Sequence, residues 1–226
     1  MHYETILDNL RSLANPESVA GMARFGIRPE VKVYGISMPT LRQMGKEIGR
    51  DHDLAERLWT SGIHEGRILA TLVADPGRVT EAQMERWVLD FDSWDVCDQC
   101  CSNLFGRTAL AQQKAVEWSG RDEEFVKRAG FVLMARLAVT EKKADDALFT
   151  PFLSIIQRAA GDERNFVRKA VNWALRQIGK RNRHLNRLAI ETAQTIAQMD
   201  SKAARWIAAD ALRELQGEKV QERLRR

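Results

Sequence analysis

The sequence predicts an all-α protein, a single-domain curved solenoid of antiparallel helix pairs. Three observations predict this fold class: a composition with only five prolines and two tyrosines, apolar residues that recur at helical spacing, and short segments that repeat along the chain. At 226 residues the chain can bury a large core, and no Pro- or Ser-rich linker divides it. We therefore expect one domain over 1–226, in which 217–226 form a frayed, charged tail.

The repeats identify the kind of solenoid. The segment 125–129, FVKRA, recurs at 166–170 as FVRKA, a shift of 41 residues. The segment 174–178, ALRQI, recurs at 211–215 as ALREL, a shift of 37 residues. Helical repeats with a period of about 40 residues indicate stacked helix pairs of the HEAT or armadillo kind. Solenoids of this kind curve, and their concave face commonly binds an extended partner.

Helical periodicity and breaker residues place the individual helices. Breakers such as Asn15-Pro16 and Asp75-Pro76-Gly77 separate the periodic segments. Thr80 with Gln83, and Asp92 with Asp95, have the spacing of helix-start caps. The expected helices run over about 3–13, 16–25, 39–49, 52–60, 64–73, 80–90, 93–105, 108–118, 122–138, 144–159, 163–179, 184–198 and 201–215.

Charge is distributed unevenly along the chain. Residues 1–120 contain 13 basic and 17 acidic side chains, whereas 121–226 contain 22 basic and 14 acidic ones. A cationic half indicates a polyanionic partner, although a merely solvated charged surface gives the same balance.

A tryptophan within a basic stripe is the clearest functional signal. Residues 164–187 contain eight Arg or Lys and no acid. At helical spacing, Trp173 lies among cations on the face opposite the apolar one. Tryptophan normally buries its ring, so this placement predicts an anionic ligand with a flat group, such as nucleic acid. The cations that we expect to contact the nucleic acid here are Arg164, Lys169, Arg176, Lys180 and Arg181.

A second constellation lies in 91–105, FDSWDVCDQCCSNLF. Trp94 and Asp98 are i, i+4 neighbours at the edge of the apolar face. A carboxylate beside an aromatic ring is suited to stabilising a developing positive charge. The alternative is a helix-start acid with a packed tryptophan. Likewise, Arg128 can be an ordinary surface ion pair with Glu124, four residues earlier.

Several function classes lack support in the sequence. The chain has no P-loop, nucleophile elbow, H-E-x-x-H or Rossmann glycine pattern, and its four histidines are scattered. The clustered Cys97, Cys100 and Cys101 follow a helical apolar edge, so we expect reduced core thiols rather than zinc ligands. We expect no metal and no organic cofactor. The N-terminus does not have the pattern of a secretory signal and no stretch has the length of a membrane span, so we expect a cytoplasmic protein.

Several segments together resemble the AlkD-type DNA glycosylases, the HEAT-like family of bacterial DNA alkylation repair enzymes. These segments are 22–25 (MARF), 35–39 (GISMP), 93–98 (SWDVCD), 125–129 (FVKRA) and 166–173 (FVRKAVNW). By this resemblance Asp98 is the catalytic carboxylate, Trp94 and Trp173 flank the damaged nucleotide, and Arg128 is the intervening arginine of the same set. Arg24 of the first segment joins the expected DNA-contacting cations. Phe25 stands where relatives can have tyrosine, and Ser37 where they can have a longer polar side chain.

The resemblance implies a monofunctional DNA glycosylase that removes positively charged N3- or N7-alkylpurines from double-stranded DNA. We expect it to act as a monomer in base excision repair, without membrane contact. Two other classes stay open: a non-catalytic HEAT-like module that binds bent or branched DNA, and a solenoid whose basic stripe binds an acidic protein. The four residues Trp94, Asp98, Arg128 and Trp173 favour the first, whereas the charge stripe alone does not separate the three.

Overall fold

The structure, a computed structural model, describes residues 2–225. Within that span it contains fourteen α-helices and no β-strand, although Lys32 and Ile63 form an isolated parallel bridge. The prediction of an all-α fold is confirmed. The chain divides into two compact units, Met1–Thr108 and Ala109–Arg226, called unit 1 and unit 2 below. One continuous domain over 1–226 stays a prediction.

Unit 1 contains seven short α-helices, with 3₁₀ turns at Ala23–Phe25, Pro76–Arg78 and Phe105–Arg107. The helices are α1 (Tyr3–Ser12), α2 (Pro16–Met22), α3 (Met38–Ile48), α4 (His52–Trp59), α5 (His64–Val73), α6 (Glu81–Leu89) and α7 (Trp94–Asn103).

Unit 2 also contains seven α-helices, several of them longer, with a 3₁₀ turn at Asp146–Leu148. They are α8 (Ala111–Ser119), α9 (Glu124–Thr140), α10 (Thr150–Ala159), α11 (Asn165–Gly179), α12 (Arg183–Ala197), α13 (Lys202–Leu215) and α14 (Glu218–Arg225).

Of the two helix starts predicted from caps, one is confirmed and one is wrong. The Thr80 hydroxyl accepts the backbone N–H of Gln83 at 3.2 Å, which caps α6. The cap residue of α7 is Ser93 rather than Asp92. The Asp92 carboxylate instead accepts the backbone N–H of Glu30 at 3.1 Å and pairs with Arg67 at 3.2 Å. Asp92 therefore binds tertiary partners instead of capping the helix that follows it.

Two predicted helices begin later than expected. The α8 helix begins at Ala111, not near 108, because Thr108 is extended. The α10 helix begins at Thr150 rather than 144, because the Asp145 carboxylate caps a separate 3₁₀ turn by accepting the N–H of Ala147 at 2.8 Å. Pro151 then fits the first turn of α10, where its missing N–H costs nothing.

The charged C-terminal segment, predicted to be frayed, forms α14. Val220 anchors it with only 8 % of its surface exposed. The Gln221 side chain donates to the carbonyl of Leu215 at 2.6 Å, and Arg223 donates to that of Lys180 at 2.5 Å. One buried apolar residue and these two hydrogen bonds hold this segment as a helix, whereas its charged composition alone predicts a frayed tail. Residue 226 lies outside the described residues.

Aromatic stacking organises the core of unit 1. The rings of Trp59 and Trp87 stack at 4.0 Å between centroids and 4° between planes, with Phe91 and Phe105 around them. The Trp59 Nε1–H donates to Asp90 at 2.7 Å, so the buried ring keeps a polar partner. Cys97, Cys100 and Cys101 are free thiols with no exposed surface, which confirms that they pack as core residues.

The repeated segments of unit 2 lie side by side. The rings of Phe125 and Phe166, equivalent positions of the two repeats, are 5.5 Å apart. Gly130 allows close approach of α8 and α9, because a Cβ at this position would lie 2.9 Å from Cα of Ser119. The 41-residue shift found in the sequence therefore corresponds to the stacking of α11 on α9.

Candidate catalytic residues and nucleic-acid interface

The α7 helix presents Trp94 and Asp98 at the boundary of the unit 1 core. Its buried face consists of Val96 and the three cysteines, which fixes how the helix is rotated. Trp94 and Asp98, one turn apart, are each half-buried. This is the position at the edge of the apolar face that the sequence predicts. A half-buried carboxylate keeps access to a ligand while lying close to a low-dielectric core.

A residue with an exposed aromatic side chain adjoins Trp94. The Trp94 Nε1–H donates to the backbone carbonyl of Phe25 at 3.0 Å. Phe25 ends a 3₁₀ turn, leaves 72 % of its surface exposed, and is followed by Gly26 with φ of 75°. Arg24 in the same turn is also exposed. Trp94 therefore belongs to a surface that also presents an exposed aromatic ring and a cation.

A histidine–carboxylate pair holds the first turn of α7. The Asp95 carboxylate and His64 Nε2 are 2.8 Å apart, and only 1 % of the His64 side chain is exposed. Burial lowers the pKa of His64, but the hydrogen bond and the charge of Asp95 raise it more, so it lies above its ordinary value. For Asp95 the directions are reversed: burial raises its pKa, but the hydrogen bond from His64 lowers it more, so the pKa of Asp95 lies below its ordinary value. Asp95 thus fixes the helix turn between Trp94 and Asp98.

In unit 2, Arg128 on α9 is buried, with 6 % of its surface exposed. Its guanidinium donates to the carbonyl of Phe166, at the start of α11, at 2.6 Å. The alternative of an ordinary surface side chain is therefore wrong for Arg128. Its long side chain reaches from one repeat to the next because the two repeats stack.

Trp173 lies on α11, where it is half-buried. Lys169, one turn earlier, is exposed and forms no ion pair with any residue in the described span. Trp173 thus has a free cation beside it on the same helix face, as the stripe predicts.

Arg176 and Lys180 continue the stripe but have acidic partners on α13. Arg176 pairs with Glu214 at 2.7 Å and with Asp210 at 3.3 Å. Lys180 pairs with the other oxygen of Glu214 at 2.7 Å. Burial raises the pKa of Glu214, but the Lys180 hydrogen bond and the Arg176 charge lower it more, so it lies below its ordinary value. A ligand phosphate must compete with these carboxylates for both cations.

Arg164 and Arg181 hold backbone segments. Arg164 forms a two-pronged contact with Asp162, at 2.6 and 2.9 Å, and donates to the carbonyl of Asp122. Burial opposes this pairing, yet Arg164 and Lys127 together lower the pKa of Asp162 to about 2. The Arg181 guanidinium lies 3.8 Å from the Phe149 ring centroid and donates to three carbonyls near the end of α9. Their predicted contact with DNA stays a prediction, since each already has a structural contact.

Two features of this region are not among the expectations from the sequence. The His64–Asp95 pair joins residues 31 apart, and no local pattern marks that spacing. The acidic partners Asp210 and Glu214 could have been found, because the 37-residue repeat aligns 174–178 of α11 with 211–215 of α13. None of the helices in residues 2–225 has both the length and the apolarity needed to cross a bilayer.

Comparison with known sequences assigns a family. The family model described as DNA alkylation repair enzyme matches residues 6–215. The chain belongs to this family. Two similar relatives are uncharacterised proteins of Listeria: Lin0241 of Listeria innocua, 21 % identical over 203 residues, and Lmo0209 of Listeria monocytogenes, 20 % identical over 203 residues. Each alignment covers 87 % of both chains.

A solved structure supports the fold. It comes from a family described as related to the HEAT-like repeat DNA glycosylases with affinity for branched DNA structures. It matches with a TM-score of 0.81 and 19 % identity, over 99 % of this chain and 96 % of that one. This member of the DNA alkylation repair enzyme family therefore has a HEAT-like helical fold, as predicted.

Proposed function

We propose that this member of the DNA alkylation repair enzyme family is a monofunctional DNA glycosylase that excises N3- and N7-alkylpurines from duplex DNA. One observation carries the proposal: in a chain of this family, α7 presents Trp94 and Asp98 one turn apart at the edge of the core, with both side chains half-buried. The aromatic ring and the carboxylate can therefore act on the same nucleotide.

The substrate supplies much of the driving force. Alkylation at N3 or N7 gives the purine a positive charge, which weakens its bond to the sugar. When that bond breaks, both electrons go to the base, which leaves neutral, and the sugar passes through an oxocarbenium-like state. Because the leaving group needs no proton, a single carboxylate suffices, whereas most sugar glycosidases use two.

Asp98 is the group that we assign to the sugar. Its ionised carboxylate stabilises the developing positive charge and orients a water molecule toward the sugar carbon. The water oxygen forms the new bond to that carbon, and the proton leaves through Asp98. The products are the free base and an abasic site. No covalent intermediate with the protein forms, which makes the enzyme monofunctional.

The two tryptophans bind the cationic nucleotide in this proposal. An indole face attracts a cation by about 0.5–2 kcal/mol, depending on desolvation. The hydrogen bond from Trp94 to the Phe25 carbonyl fixes the orientation of the first ring. Arg128 is assigned a positioning role, because it binds the Phe166 carbonyl at the start of the helix that carries Trp173. Arg24 and Lys169, both exposed, are the cations best suited to contact backbone phosphates.

The deciding experiment is release of base from duplex DNA that contains N7-methylguanine. Asp98→Asn keeps the size of the side chain and removes its charge, so we expect excision to fall by a factor on the order of 10²–10³ while duplex binding persists. Asp8→Asn is the matched control, since it makes the same change in an exposed surface pair. Equal activity in the two variants would show that Asp98 is not the catalytic carboxylate.

The role of Trp173 is tested by a second pair of variants. Trp173→Ala should lower excision more than it lowers binding to undamaged DNA. Trp206→Ala is the control, because Trp206 is 39 % exposed and lies on a different helix, where Arg168 covers its ring at 5.3 Å. Equal losses of excision and binding in Trp173→Ala would make Trp173 a packing residue.

A second candidate function is non-catalytic binding of branched DNA. The solved structure from a family with that affinity favours it, since the two chains share a fold over nearly their whole length. It predicts that the intact protein binds a four-way junction more tightly than a linear duplex of equal length and releases no base from either. Base release that depends on Asp98 excludes this candidate as the sole function.

A further inference from the structure

A second cationic site lies at the C-terminal ends of α9 and α11 in unit 2. A cavity of about 590 Å³ opens there, and among the described residues its lining contains four cations and no carboxylate. The α14 helix forms another part of its wall. The lining residues used below are Val139, Lys142, Lys180, Arg181, Arg223 and Leu224.

The position is unusual for a concentration of positive charge. The C-terminal end of a helix carries partial negative charge on its free carbonyls, which would repel an anion. Here guanidinium groups cover those carbonyls: Arg181 binds the carbonyl of Ala138 at 2.7 Å, and Arg223 binds that of Lys180 at 2.5 Å. The guanidinium groups thereby reduce this repulsion, and the four cations of the lining have no carboxylate among the described lining residues.

Two of the acidic groups near the cavity are already engaged. Glu214 is paired with Arg176 and Lys180, and the Asp146 carboxylate accepts the Asn182 side-chain N–H at 2.7 Å. Lys142 differs from the other cations of the lining, because its ammonium group has no partner among residues 2–225 and is exposed. It is the charge that remains available to a ligand.

From this geometry we propose that the cavity is a phosphate-binding site, separate from the residues assigned to excision. Arginine and lysine together are the donors that phosphate oxygens prefer. The volume exceeds the space that a lone phosphate needs and lies in the range of small-molecule sites. Val139, 43 % exposed, and Leu224 add apolar wall, so the ligand is a phosphate attached to a larger group.

Two sources can supply such a phosphate: the backbone of a nucleic acid, or a free polyphosphate compound. Lys180 belongs both to this lining and to the stripe on α11, and Lys169 lies about 16 Å from it along that helix. A DNA strand that follows the stripe past Lys180 therefore reaches the cavity. The proposal does not depend on base excision, since it concerns binding of undamaged phosphodiester or polyphosphate.

The test uses two adjacent lysines. Lys142 lines the cavity, whereas Lys143 is also exposed but lies outside it, so Lys142→Ala and Lys143→Ala remove the same charge one residue apart. Arg181 and Arg223 are left intact, because they also hold backbone carbonyls. The first arm measures the salt dependence of binding to a short undamaged duplex. The second measures binding of inorganic tripolyphosphate by calorimetry.

We expect Lys142→Ala to lower the slope of log K against log salt by about 0.9, the value for one phosphate contact, or to weaken tripolyphosphate binding by about tenfold. A change in the first arm alone identifies the DNA backbone as the source. A change in the second alone identifies a free polyphosphate, and a change in both means that the site accepts either. If Lys142→Ala and Lys143→Ala behave alike in both arms, the proposal is overturned, whatever the excision assay gives.

Discussion

The two units tie successive repeats together at different intervals. In unit 1 the polar contacts Trp59–Asp90 and His64–Asp95 join residues 31 apart, and Thr71–Asn103 joins residues 32 apart. In unit 2 the contacts Asn172–Asp210 and Arg176–Glu214 join residues 38 apart. The difference of six or seven residues is about two helical turns.

The extra length lies in the helices themselves. The α5 and α7 helices each have 10 residues, whereas α9, α11 and α13 have 17, 15 and 14. A cationic stripe from Lys169 to Lys180 spans eleven steps, which a 10-residue helix does not accommodate. Repeat length thus distinguishes the two units: the short repeats of unit 1 carry Trp94 and Asp98, and the long repeats of unit 2 carry the row of basic residues from Lys169 to Lys180.

Two carboxylates, one from each unit, also differ in burial. The Glu65 carboxylate, 1 % exposed, accepts the backbone N–H groups of Tyr34, Gly35 and Ile36 at 2.6–3.2 Å. Glu214 of unit 2 is partly exposed and binds side-chain cations instead. Buried polar groups are costly to leave unpaired, whereas exposed ion pairs contribute little.

The largest expected effect follows from that contrast. Glu65→Leu leaves three backbone N–H groups without their acceptor, so we expect a loss of about 3 kcal/mol or more in the free energy of unfolding. Glu65→Gln keeps one acceptor oxygen and should lose about half as much. Urea denaturation followed by circular dichroism measures both. A loss below about 1 kcal/mol for Glu65→Leu would mean that the loop 34–36 is held by other contacts.

The next prediction compares the stability of two glycine-to-alanine variants, one at a closely packed position in unit 2 and one at an open position in unit 1. A Cβ added at Gly130 of α9 meets the backbone of Ser119 on α8, whereas one added at Gly21 of α2 meets nothing within 4 Å. We therefore expect Gly130→Ala to destabilise by about 1–3 kcal/mol through overpacking. Gly21→Ala should stabilise by up to about 1 kcal/mol, because alanine favours the helix. Thermal unfolding compares the two variants, and equal shifts would show that α8 separates from α9 without cost.

The sequence alone predicts more of unit 2 than of unit 1. The FVKRA segment recurs in the sequence of unit 2 as FVRKA, and the basic residues of α11 recur at helical spacing. The helix pairs and the position of Lys169 beside Trp173 could therefore be predicted. The 31-residue interval of unit 1 produces no repeated sequence segment, because each polar contact at that interval joins a different pair of residue types. Local spacing and the family resemblance identify Trp94 and Asp98.

The periodicity of a single helix does not predict which charges are already engaged. Arg176 and Lys180 read as free cations, but their carboxylate partners lie on another helix, 34–38 residues away. The same holds for Asp92, where a contact from Glu30 and Arg67 replaces the expected cap. Tertiary pairing of polar groups depends on how helices stack, and single-helix periodicity contains no information about it.

A pH effect tests the buried pair of unit 1. The His64 pKa is raised on folding, so its stabilisation is present below the unfolded value of about 6.5 and is lost as pH rises through the folded pKa. The Asp95 pKa is lowered, so its stabilisation is present above about pH 4 and is lost as pH falls through the folded value. The pair therefore contributes most between those two limits, where His64 is protonated and Asp95 is ionised.

His64→Gln should remove the part of the pH dependence of stability that lies above about pH 6.5. The difference in unfolding free energy between the wild type and the variant should shrink as pH rises above about 6.5. Urea titrations at a series of pH values measure it, with His184→Gln as the control at an exposed histidine. A difference that stays constant across that range would mean that His64 contributes through packing rather than through its charge.

The smallest change in stability should accompany a gain in DNA binding. Glu214→Gln removes the charge that holds Arg176 and Lys180, at a cost of less than about 1 kcal/mol because the pairs are partly exposed. Lys180 then becomes available to phosphates, whereas Arg176 keeps its contact with Asp210. Duplex affinity should therefore rise several-fold, and the salt slope should steepen by about 0.9 for the one new contact. Glu191→Gln is the matched control, since it releases the exposed Arg187, which lies on α12 rather than on α11. If the two variants raise affinity equally, the gain reflects net charge alone, and the long repeats of unit 2 do not present a specific row of phosphate contacts.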